Sequence, residues 1–471
     1  MLDLKIINGR VIDWKNDLDV ICDIGIKDGK IVEIGNTDCF AAKQTIDAEN
    51  CIVVPGIIDS HMHASSWLGG PMSYKMLAKA GVTTAMEMAG PIDSVKSFIK
   101  ENGSGISIAC LEQLRPHKNI SSDSPKNNEI ETAVKRALED GAFGVKLLGG
   151  HYPFTPDASG RLIELCARQN IYLAIHAGTT TQGSNINGMR QIVELANGNS
   201  FHLAHINAYC RGNVKDILDE ISEAKDLLIQ HPEIDSESYL SPINGCSGKC
   251  TDGIPESGVT KNCLKSKGYP ATEIGLKQAI IDGYAKVHKF TEDGVLLSDC
   301  SEGLDLWLNK GTDVPISFSV NPSLSLFYFA WSRRSNKSFL VDSFCTDGGG
   351  IPRNVIIANG LSLVKFGALT LKEFVFKSSY SAACLMGLKN KGHLSVGADA
   401  DITVIDYQSQ KPIHAFSYGK AVLFNEKVVG EKGRIITTPQ GEKSVKQSGL
   451  DCITVNIEEL MAYRQTRFNN V

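Results

Sequence analysis

The middle of the chain repeats one pattern, in which an amphipathic helical stretch is followed by a short apolar run. The pattern recurs in "MSYKMLAKAGVTTAMEMA", "IETAVKRALEDGAFGVKLLGG", "GRLIELCARQNIYLAIHAG" and "MRQIVELANGNSFHLAHINA". Strands that alternate with helices form parallel βα units. The segment from Pro55 to about Lys391 is long enough for eight such units with insertions. The pattern alone leaves both a closed (β/α)8 barrel and an open doubly wound sheet as candidates.

The two ends of the chain have a different pattern from the middle. Short alternating segments with turns at Asn8-Gly9 and Asp28-Gly29 occupy residues 1–54 and indicate antiparallel strands. Similar short strands occur in "KGHLSVGADADITVIDYQ" and "YGKAVLFNEKVVGEKGRII". We expect residues 1–54 and 392–471 to combine into one small β-sandwich domain, with residues 55–391 as a separate barrel domain.

Composition narrows the classes of partner. The formal net charge is −5 and the pI is near 6.1, so no basic stripe favours nucleic acid. The first residues lack a secretion pattern and no stretch reaches transmembrane length, which predicts a cytoplasmic protein without a membrane partner. Thirteen cysteines scattered over the chain are typical of reduced intracellular thiols. The sequence leaves the oligomeric state open, a homo-oligomer included.

Several apolar runs end in residue types that serve metal ions. They are His61 and His63 in "GIIDSHMH", Lys146 in "AFGVKLLGG", His176 in "IYLAIHAG", His205 in "FHLAHINA" and Asp347 in "SFLVDSFCTDGGG". The carboxyl ends of barrel strands share one face, so residues far apart in sequence converge there. Two histidines at i and i+2 point to the same side of an extended segment and reach one ion. His-x-His alone is a weak signal, but its repetition at successive strand ends favours a closed barrel with a metal site.

Taken together, these motifs resemble the amidohydrolase superfamily of metal-dependent hydrolases. The resemblance rests on "VVPGIIDSHMH", "GVKLL", "LAIHAG", "LAHINA", "CTDGGG" and "KGHLSVGADADITVID". It implies a (β/α)8 barrel with a small β-sandwich from both chain ends. It also implies two divalent ions per chain, zinc by preference, with His61 and His63 at the more buried ion and His176 and His205 at the second.

The resemblance assigns Lys146 as the ligand that bridges the two ions. An unmodified lysine is a cationic donor and would repel a divalent ion, whereas a carbamate formed with carbon dioxide offers two oxygens. Lys146 paired with a carboxylate is the alternative that assumes no modification. Glu112, in "IACLEQLRP", is a rival bridging ligand, and Cys110 beside it is a softer one.

The resemblance implies that Asp347 is both a metal ligand and the general base. In that role it accepts a proton from the attacking water and returns it to the leaving nitrogen. The predicted activity is therefore hydrolysis of a C–N bond in a small amide, such as an N-acyl amino acid, a dipeptide-like compound or a cyclic amide. Two alternatives are a mononuclear heterocycle deaminase of the same superfamily and a non-catalytic relative that acts as a binding protein.

Candidate substrate-binding residues surround these positions. His151 and Tyr152 follow Lys146 on a loop where a donor would polarise the scissile carbonyl. Arg353, in "GGGIPRN", has the geometry to pair with a substrate carboxylate. Tyr239 and Asn244, in "ESYLSPINGCSG", are further candidates.

Two observations concern the branch of the superfamily. Dihydroorotases place an arginine shortly after His-x-His, and "HMHASSW" has none. The long region between His205 and Asp347 is more similar to D-aminoacylase, isoaspartyl dipeptidase and hydantoinase. Within it, Cys246, Cys250 and Cys263 lack a neighbouring fourth ligand, so we expect incidental thiols on a flexible active-site loop and not a structural zinc site.

Overall fold

The computed structural model describes residues 1–456 together with 458 and 460. Its strands in chain order are β1 (Leu2–Asp13), β2 (Leu18–Lys27), β3 (Lys30–Gly35), β4 (Ala42–Asp47), β5 (Cys51–Pro55), β6 (Ile57–His63), β7 (Val82–Glu87), β8 (Ser107–Gln113), β9 (Gly144–Leu148), β10 (Tyr172–His176), β11 (His202–Leu203), β12 (Asp235–Tyr239), β13 (Cys246–Ser247), β14 (Cys250–Thr251), β15 (Ile254–Pro255), β16 (Ala285–Thr291), β17 (Gly294–Leu297), β18 (Pro315–Phe318), β19 (Ser343–Cys345), β20 (Gly348–Gly349), β21 (Ile402–Asp406), β22 (Lys411–Ser417), β23 (Lys420–Phe424), β24 (Lys427–Val428), β25 (Arg434–Thr437) and β26 (Asp451–Thr454).

Helices fill most of the connections between these strands. They are α1 (Pro71–Lys79), α2 (Ile92–Asn102), α3 (Asn127–Glu139), α4 (Pro156–Arg168), α5 (Ile186–Ala196), α6 (Ile217–Gln230), α7 (Gly258–Ser266), α8 (Glu273–Ile281), α9 (Cys300–Asn309), α10 (Ser323–Trp331), α11 (Ile356–Lys365), α12 (Leu371–Val375), α13 (Ser381–Leu385) and α14 (Glu442–Gln447). Short 3-10 helices cover Ser66–Leu68 and Ile206–Tyr209, and a π-helical turn covers Phe376–Tyr380. None of the helices in the described part of the chain has the length and apolar character needed to cross a bilayer.

Strands β6 to β12 form a parallel barrel that closes through a divided eighth strand. Strand β19 pairs with β12, and β20 pairs with β6, so the segment from Ser343 to Gly349 bridges the first and seventh strands. The division falls at Thr346 and Asp347, where Asp347 has a positive φ of 47°. This topology confirms the predicted (β/α)8 barrel and excludes the open doubly wound sheet.

Side-chain alternation along the strands separates the barrel interior from the layer under the helices. On β8, Ala109 and Leu111 join the interior apolar cluster, whereas Ile108 and Cys110 join the large cluster beneath the helices. This period of two is expected for strands buried on both faces. The alternation therefore decides which side chains of a strand face the barrel interior and which face the helices.

A second sheet combines strands from both chain ends, as the sequence predicts. Nine strands, β1–β5 and β21–β24, form one mixed sheet with its own apolar core. Strand β5 joins the two halves, because it pairs parallel with β1 and antiparallel with β21.

The last strands depart from the predicted domain division. The sequence places all of residues 392–471 in the small domain, but β25 pairs parallel with the first half of β8, and β26 pairs with β25. Strand β9 pairs only with the second half of β8. The chain therefore returns to the barrel after β24. A local sequence pattern predicts strands but not their partners, which is why this return is not visible in the sequence.

A separate subdomain interrupts the barrel between β12 and β19. We call residues 242–321 the insertion. It contains β13–β18 and α7–α9, and its four-stranded sheet has the order β13-β18-β16-β17. Its own apolar core includes Leu264, Trp307 and Phe318. The insertion is thus a folded unit, and it lies over the carboxyl end of the barrel.

Candidate metal centre

One cavity of about 1260 Å³ opens at the carboxyl end of the barrel, between the strand ends and the insertion. Five of the six predicted metal-site residues line it, and the sixth, His61, lies fully buried with its imidazole nitrogen 2.9 Å from one of the five. The five are His63, Lys146, His176, His205 and Asp347. The structure therefore brings together residues that are up to 286 positions apart, as convergence at one barrel face requires.

His61, His63 and Asp347 form the first subsite. The Nε2 atoms of the two histidines are 3.3 Å apart, and Asp347 Oδ1 is 2.9 Å from His63 Nε2 and 3.5 Å from His61 Nε2. All three ligand atoms lie within 4.8 Å of one another. Two imidazole nitrogens and one carboxylate oxygen this close together are a donor set suited to one divalent ion.

Glu237, which sequence reasoning missed, holds His61 from inside the barrel. Its carboxylate makes a very short hydrogen bond with His61 Nδ1 and also accepts from Ser60 Oγ at 3.0 Å. Burial and the charge of Lys146 lower the pKa of His61 to about 3, so its imidazole is neutral. A neutral ring that donates from Nδ1 keeps the lone pair of Nε2 for a metal ion.

The ionisation of Glu237 is itself supported by its neighbours. Its other oxygen lies 3.1 Å from His202 Nε2, and Tyr172 OH contacts His202 Nδ1 at 2.6 Å. Although burial raises the pKa of Glu237, the histidines at 61 and 202 hold it well below its usual range. Glu237, in "DSESYL", belongs to no recognised motif. Only its position on a strand that ends at the site could have indicated its role from the sequence.

His176 and His205 form the second subsite beside the first. His176 Nδ1 is 3.0 Å from His205 Nε2, and the His205 ring stacks on His61 with centroids 5.1 Å apart. Burial lowers the pKa of His205 to about 4 and that of His176 well below its ordinary value. Within the described residues, the Nδ1 atoms of His63 and His205 are buried without a hydrogen-bond partner. With both rings neutral and His176 Nδ1 only 3.0 Å from His205 Nε2, the pair offers two imidazole donors to one ion.

The amine of Lys146 lies beside His61 of the first subsite, and no carboxylate among the described residues pairs with it. Its Nζ is 2.9 Å from His61 Nε2 and 3.4 Å from Met88 Sδ, and in the described ranges no carboxylate oxygen lies within 4 Å of it. Burial lowers the pKa of the amine to about 8, although Asp347 and Glu237 oppose the shift. The alternative of a lysine paired with a carboxylate is therefore wrong for this arrangement.

The predicted rival bridges, Glu112 and Cys110, lie on the other face of β8. Glu112 Oε2 accepts a hydrogen bond from the backbone N–H of Ile92 at 2.9 Å, at the start of α2. Cys110 is fully buried in the layer beneath the helices. Neither residue lines the cavity, where β8 instead presents Gln113. The alternation along the strand excludes both as neighbours of the two subsites.

Arg353 also has a different role from the predicted one. It is 1% exposed, and its Nε and Nη1 donate to the carbonyls of Thr346 at 2.6 Å and Ile243 at 2.9 Å. Its Nη2 donates to Asp347 Oδ2 at 3.0 Å. The guanidinium is thus used inside the protein and orients Asp347, which corrects the expectation that it pairs with a substrate carboxylate. Although burial raises the pKa of Asp347, the Arg353 charge holds it well below its usual range.

The other predicted substrate residues divide between the cavity wall and the interior. His151, Tyr152 and Asn244 line the cavity, whereas Tyr239 is fully buried behind the wall. Burial and the charge of His63 lower the pKa of His151 to about 4. The amide of Asn244 is engaged by Phe318 N at 2.9 Å and Cys263 Sγ at 3.2 Å.

The sequence suggested that the cysteines of the insertion lie on a flexible loop, and the structure contradicts this. Cys246 and Cys263 are buried in the core of the insertion, and Cys250 packs against that core. Across the part of the chain that the structure describes, the three do not form a group of ligand atoms that could hold an ion.

Comparison with known proteins places this geometry in a family. The sequence model described as "Amidohydrolase family" matches residues 52–225 and 332–438, which is more than half of the chain. The chain belongs to the amidohydrolase family. The two matched segments of this amidohydrolase carry all six predicted ligand positions, and the whole insertion falls in the unmatched stretch between them. The predicted family and barrel fold, and the prediction that the chain is an amidohydrolase, are confirmed.

Similar proteins cover almost the whole amidohydrolase chain. A dihydroorotase of Streptococcus pneumoniae is 23% identical over 92% of this chain and 97% of its own length. The structure of N-acyl-D-glutamate deacylase from Bordetella bronchiseptica, complexed with zinc and a phosphonate inhibitor, has a TM-score of 0.63, 16% identity and coverage of 92% and 99%. Dihydropyrimidinase from Brevibacillus agri has a TM-score of 0.59, 14% identity and coverage of 92% and 98%. Likenesses at this level concern the fold.

Proposed function

We propose that this amidohydrolase hydrolyses a C–N bond in a small amide: an N-acyl amino acid, a dipeptide-like compound or a cyclic amide. One observation carries the proposal. Four histidines, a lysine and an aspartate from five strand ends meet at or directly beneath a single cavity, and three of the histidines are held neutral by burial. The names of the similar proteins, which refer to acyl and cyclic amides, support the same class of reaction.

The proposed cofactor is a pair of divalent ions, zinc by preference, with the first subsite at one ion and His176 and His205 at the other. Imidazole and carboxylate donors suit zinc, and the three ligand atoms of the first subsite lie within 4.8 Å of one another. When bound, the ions lower the pKa of water toward neutrality and polarise the amide carbonyl. We propose Lys146 as the shared ligand, as a carbamate formed with carbon dioxide, because its buried amine has no carboxylate partner among the described residues.

Asp347 is the proposed general base. Its Oδ2 is fixed by Arg353 at 3.0 Å, and its Oδ1 faces His63 and the cavity. The low pKa of its carboxyl keeps it ionised at neutral pH, so it is ready to accept a proton from the attacking water. It then returns that proton to the leaving nitrogen. Arg353 positions this carboxylate and does not contact substrate.

His151 and Tyr152 are proposed to contact the amide. Both lie on the cavity wall just beyond β9, and the Tyr152 ring is held against Arg115, whose guanidinium carbon is 5.5 Å from the ring centroid. A phenol or imidazole donor at this wall would polarise the scissile carbonyl.

The test combines metal analysis with hydrolysis of an amide panel. Purified protein is expected to hold two divalent ions per chain and to hydrolyse at least one compound among N-acetyl amino acids, dipeptides and dihydropyrimidines. Lys146→Ala is expected to lose one ion, and Asp347→Asn to lose at least 100-fold in kcat while staying folded.

Glu112→Gln is the matched control, because it changes a strand-end carboxylate that faces away from the cavity. It is expected to keep both ions and the activity. Metal-free protein with unchanged activity would refute the proposal. One ion per chain together with ammonia release from a heterocycle would support the deaminase alternative instead.

A further inference from the structure

Arg211 lines the cavity on the side of the insertion and has no anionic partner there. It follows the 3-10 helix Ile206–Tyr209, just after His205. Its Nε donates to Asn321 Oδ1 at 3.0 Å, and its Nη2 donates to Tyr239 OH at 3.2 Å. In the described part of the chain no carboxylate oxygen lies within 4 Å of the guanidinium, and no acceptor there binds Nη1.

The two groups that hold Arg211 are neutral and rigidly placed. Asn321 donates its amide to the carbonyls of Ser241 at 3.1 Å and Ile243 at 2.9 Å. Tyr239 OH donates to Asn321 Oδ1 at 2.9 Å. One edge of the guanidinium is therefore fixed in a polar cradle, while its positive charge is not neutralised. A pre-oriented arginine with uncompensated charge is suited to bind an anion from the cavity.

The other cations at the cavity are less suited to this task. Arg353 is paired with Asp347. Arg115 is held by Gln113 and by the carbonyl of Ala89, and it packs on Tyr152 at the wall beyond β9. Lys265 and Lys267 are exposed on and just after α7, where they add positive potential at the mouth of the cavity without a fixed geometry.

Arg211 is also close to the metal centre. The Tyr239 ring, whose hydroxyl accepts from Arg211, lies with its centroid 6.0 Å from the His205 ring. A carboxylate on the guanidinium would therefore be separated from the second subsite by about one side chain. This spacing fits a small molecule that carries its carboxylate near the amide to be cleaved.

We propose that Arg211 binds a carboxylate of the substrate, which makes the substrate an anionic amide. The inference rests on the proposed hydrolysis and narrows its substrate class to amides with a carboxylate near the scissile bond. It also explains why the structure can use Arg353 to orient Asp347: a different arginine, supplied by the loop after β11, faces the cavity.

Binding is the direct test, because it does not require turnover. The zinc-loaded Asp347→Asn protein is titrated calorimetrically with matched pairs that differ in one carboxylate. These pairs are dihydroorotate against dihydrouracil, and N-acetylalanine against N-acetylalaninamide in both stereoisomers. At least one acid is expected to bind 10- to 100-fold more tightly than its neutral partner. Adding Arg211→Met is expected to abolish that ratio, and Arg211→Lys to keep part of it.

Arg115→Met in the same background is the matched control, since it removes the other arginine of the cavity wall and is expected to leave the acid preference intact. Equal binding of acids and neutral partners, absence of binding by every probe, or an unchanged ratio in folded Arg211→Met would overturn the inference. Selective binding of acids without hydrolysis by the wild-type enzyme would refute the proposed function alone. Hydrolysis without an acid preference would refute this inference alone.

Discussion

Glu237 decides which nitrogen of His61 faces the cavity. Its carboxylate accepts a hydrogen bond from His61 Nδ1. It also accepts from Ser60 Oγ and from the backbone N–H of His205 at 3.2 Å. A carboxylate behind a metal-binding histidine fixes the tautomer and raises the basicity of the ring. His205 itself has a positive φ of 32°, so the same carboxylate also supports a strained backbone at the second subsite.

We predict that Glu237→Gln weakens metal binding by roughly 10- to 100-fold, because an amide neither carries the charge nor enforces the tautomer of His61. Metal titration with a competing chelator measures the effect. Glu220→Gln is the control: Glu220 is equally buried, but its carboxylate accepts hydrogen bonds from the backbone N–H groups of Gly212 and Val214 and not from a metal-site histidine. Equal metal affinity in Glu237→Gln and wild type would contradict the assigned role.

At the residue scale, the sequence predicts the role of residues at strand ends. It does not predict roles that depend on contacts with residues far away in the chain. His61, Lys146 and His205 are predictable because parallel strands present their last residues on one face. The role of Arg353 is not predictable, because it depends on the carbonyl of Ile243, which the insertion supplies. Side chains alternate between the two faces of β8. Because Gln113 faces the cavity, its neighbour Glu112 faces away, and this alternation could have excluded Glu112 from the site.

The π-helical turn between α12 and α13 buries a lysine against the end of another helix. Lys377 is fully buried, and its Nζ donates to the carbonyls of Ala330 at 2.8 Å and Phe329 at 3.3 Å, at the carboxyl end of α10. The rings of Phe339 and Phe344 lie 4.8 and 4.6 Å from the amine. The amine thereby satisfies carbonyls that α10 leaves unpaired, at the cost of placing an ionisable group in an apolar layer.

Burial lowers the pKa of Lys377 to about 7, which predicts a pH-dependent contribution to stability. In the unfolded chain the pKa is near ~10.4. Between these values the unfolded state binds more protons, so the free energy of unfolding of wild type should rise with pH relative to Lys377→Met. The expected slope is at most about 1.4 kcal/mol per pH unit from pH 7 to 10. Denaturant unfolding over this range measures it.

Lys365→Met serves as the control for this titration. Lys365 ends α11, and its amine reaches the carbonyl of Gln408 at the surface, so its removal should leave the pH dependence unchanged. Parallel stability curves for wild type and Lys377→Met would contradict a lowered pKa in the folded protein.

At the scale of the whole molecule, a buried cluster of ion pairs joins the barrel to the small domain. We call this cluster the junction. Lys391 is 2% exposed and pairs with Asp401 at 2.6 Å and Asp399 at 3.2 Å. Asp401 also accepts from Thr84 on β7 at 3.4 Å and from the backbone N–H of Tyr418 at 2.8 Å. The two carboxylates therefore hold elements from both units around one ammonium.

We predict that Lys391→Met lowers the free energy of unfolding by about 3–5 kcal/mol, because it leaves the buried Asp401 carboxylate without its cation and leaves Asp399 with only the partly exposed Lys30. Thermal unfolding measures the loss. The surface pair of Lys446 with Glu442 offers the control, and Lys446→Met should leave Tm nearly unchanged. A similarly small change in Lys391→Met would show that the junction does not stabilise the assembly of the two units.

At this largest scale the sequence predicts the barrel and the origin of the small domain in both chain ends, but not the path of the last strands. The pattern around Arg434 is that of a strand wherever its partner lies. The strand pairing in the structure is needed to show that β25 lies beside β8 and not beside β24.

The position of β25 has a consequence for how the protein is made. Strand β8 leaves the ribosome long before the chain that covers its free edge, because 320 residues lie between Gln113 and Arg434. Until Arg434 to Thr437 arrive, that edge exposes unpaired backbone groups and the apolar residues Ile108 and Ala109. Pairing across so long a stretch of chain slows folding and favours aggregation of intermediates. Production of this enzyme should therefore benefit from slow translation and from chaperones that shield nascent β-strands.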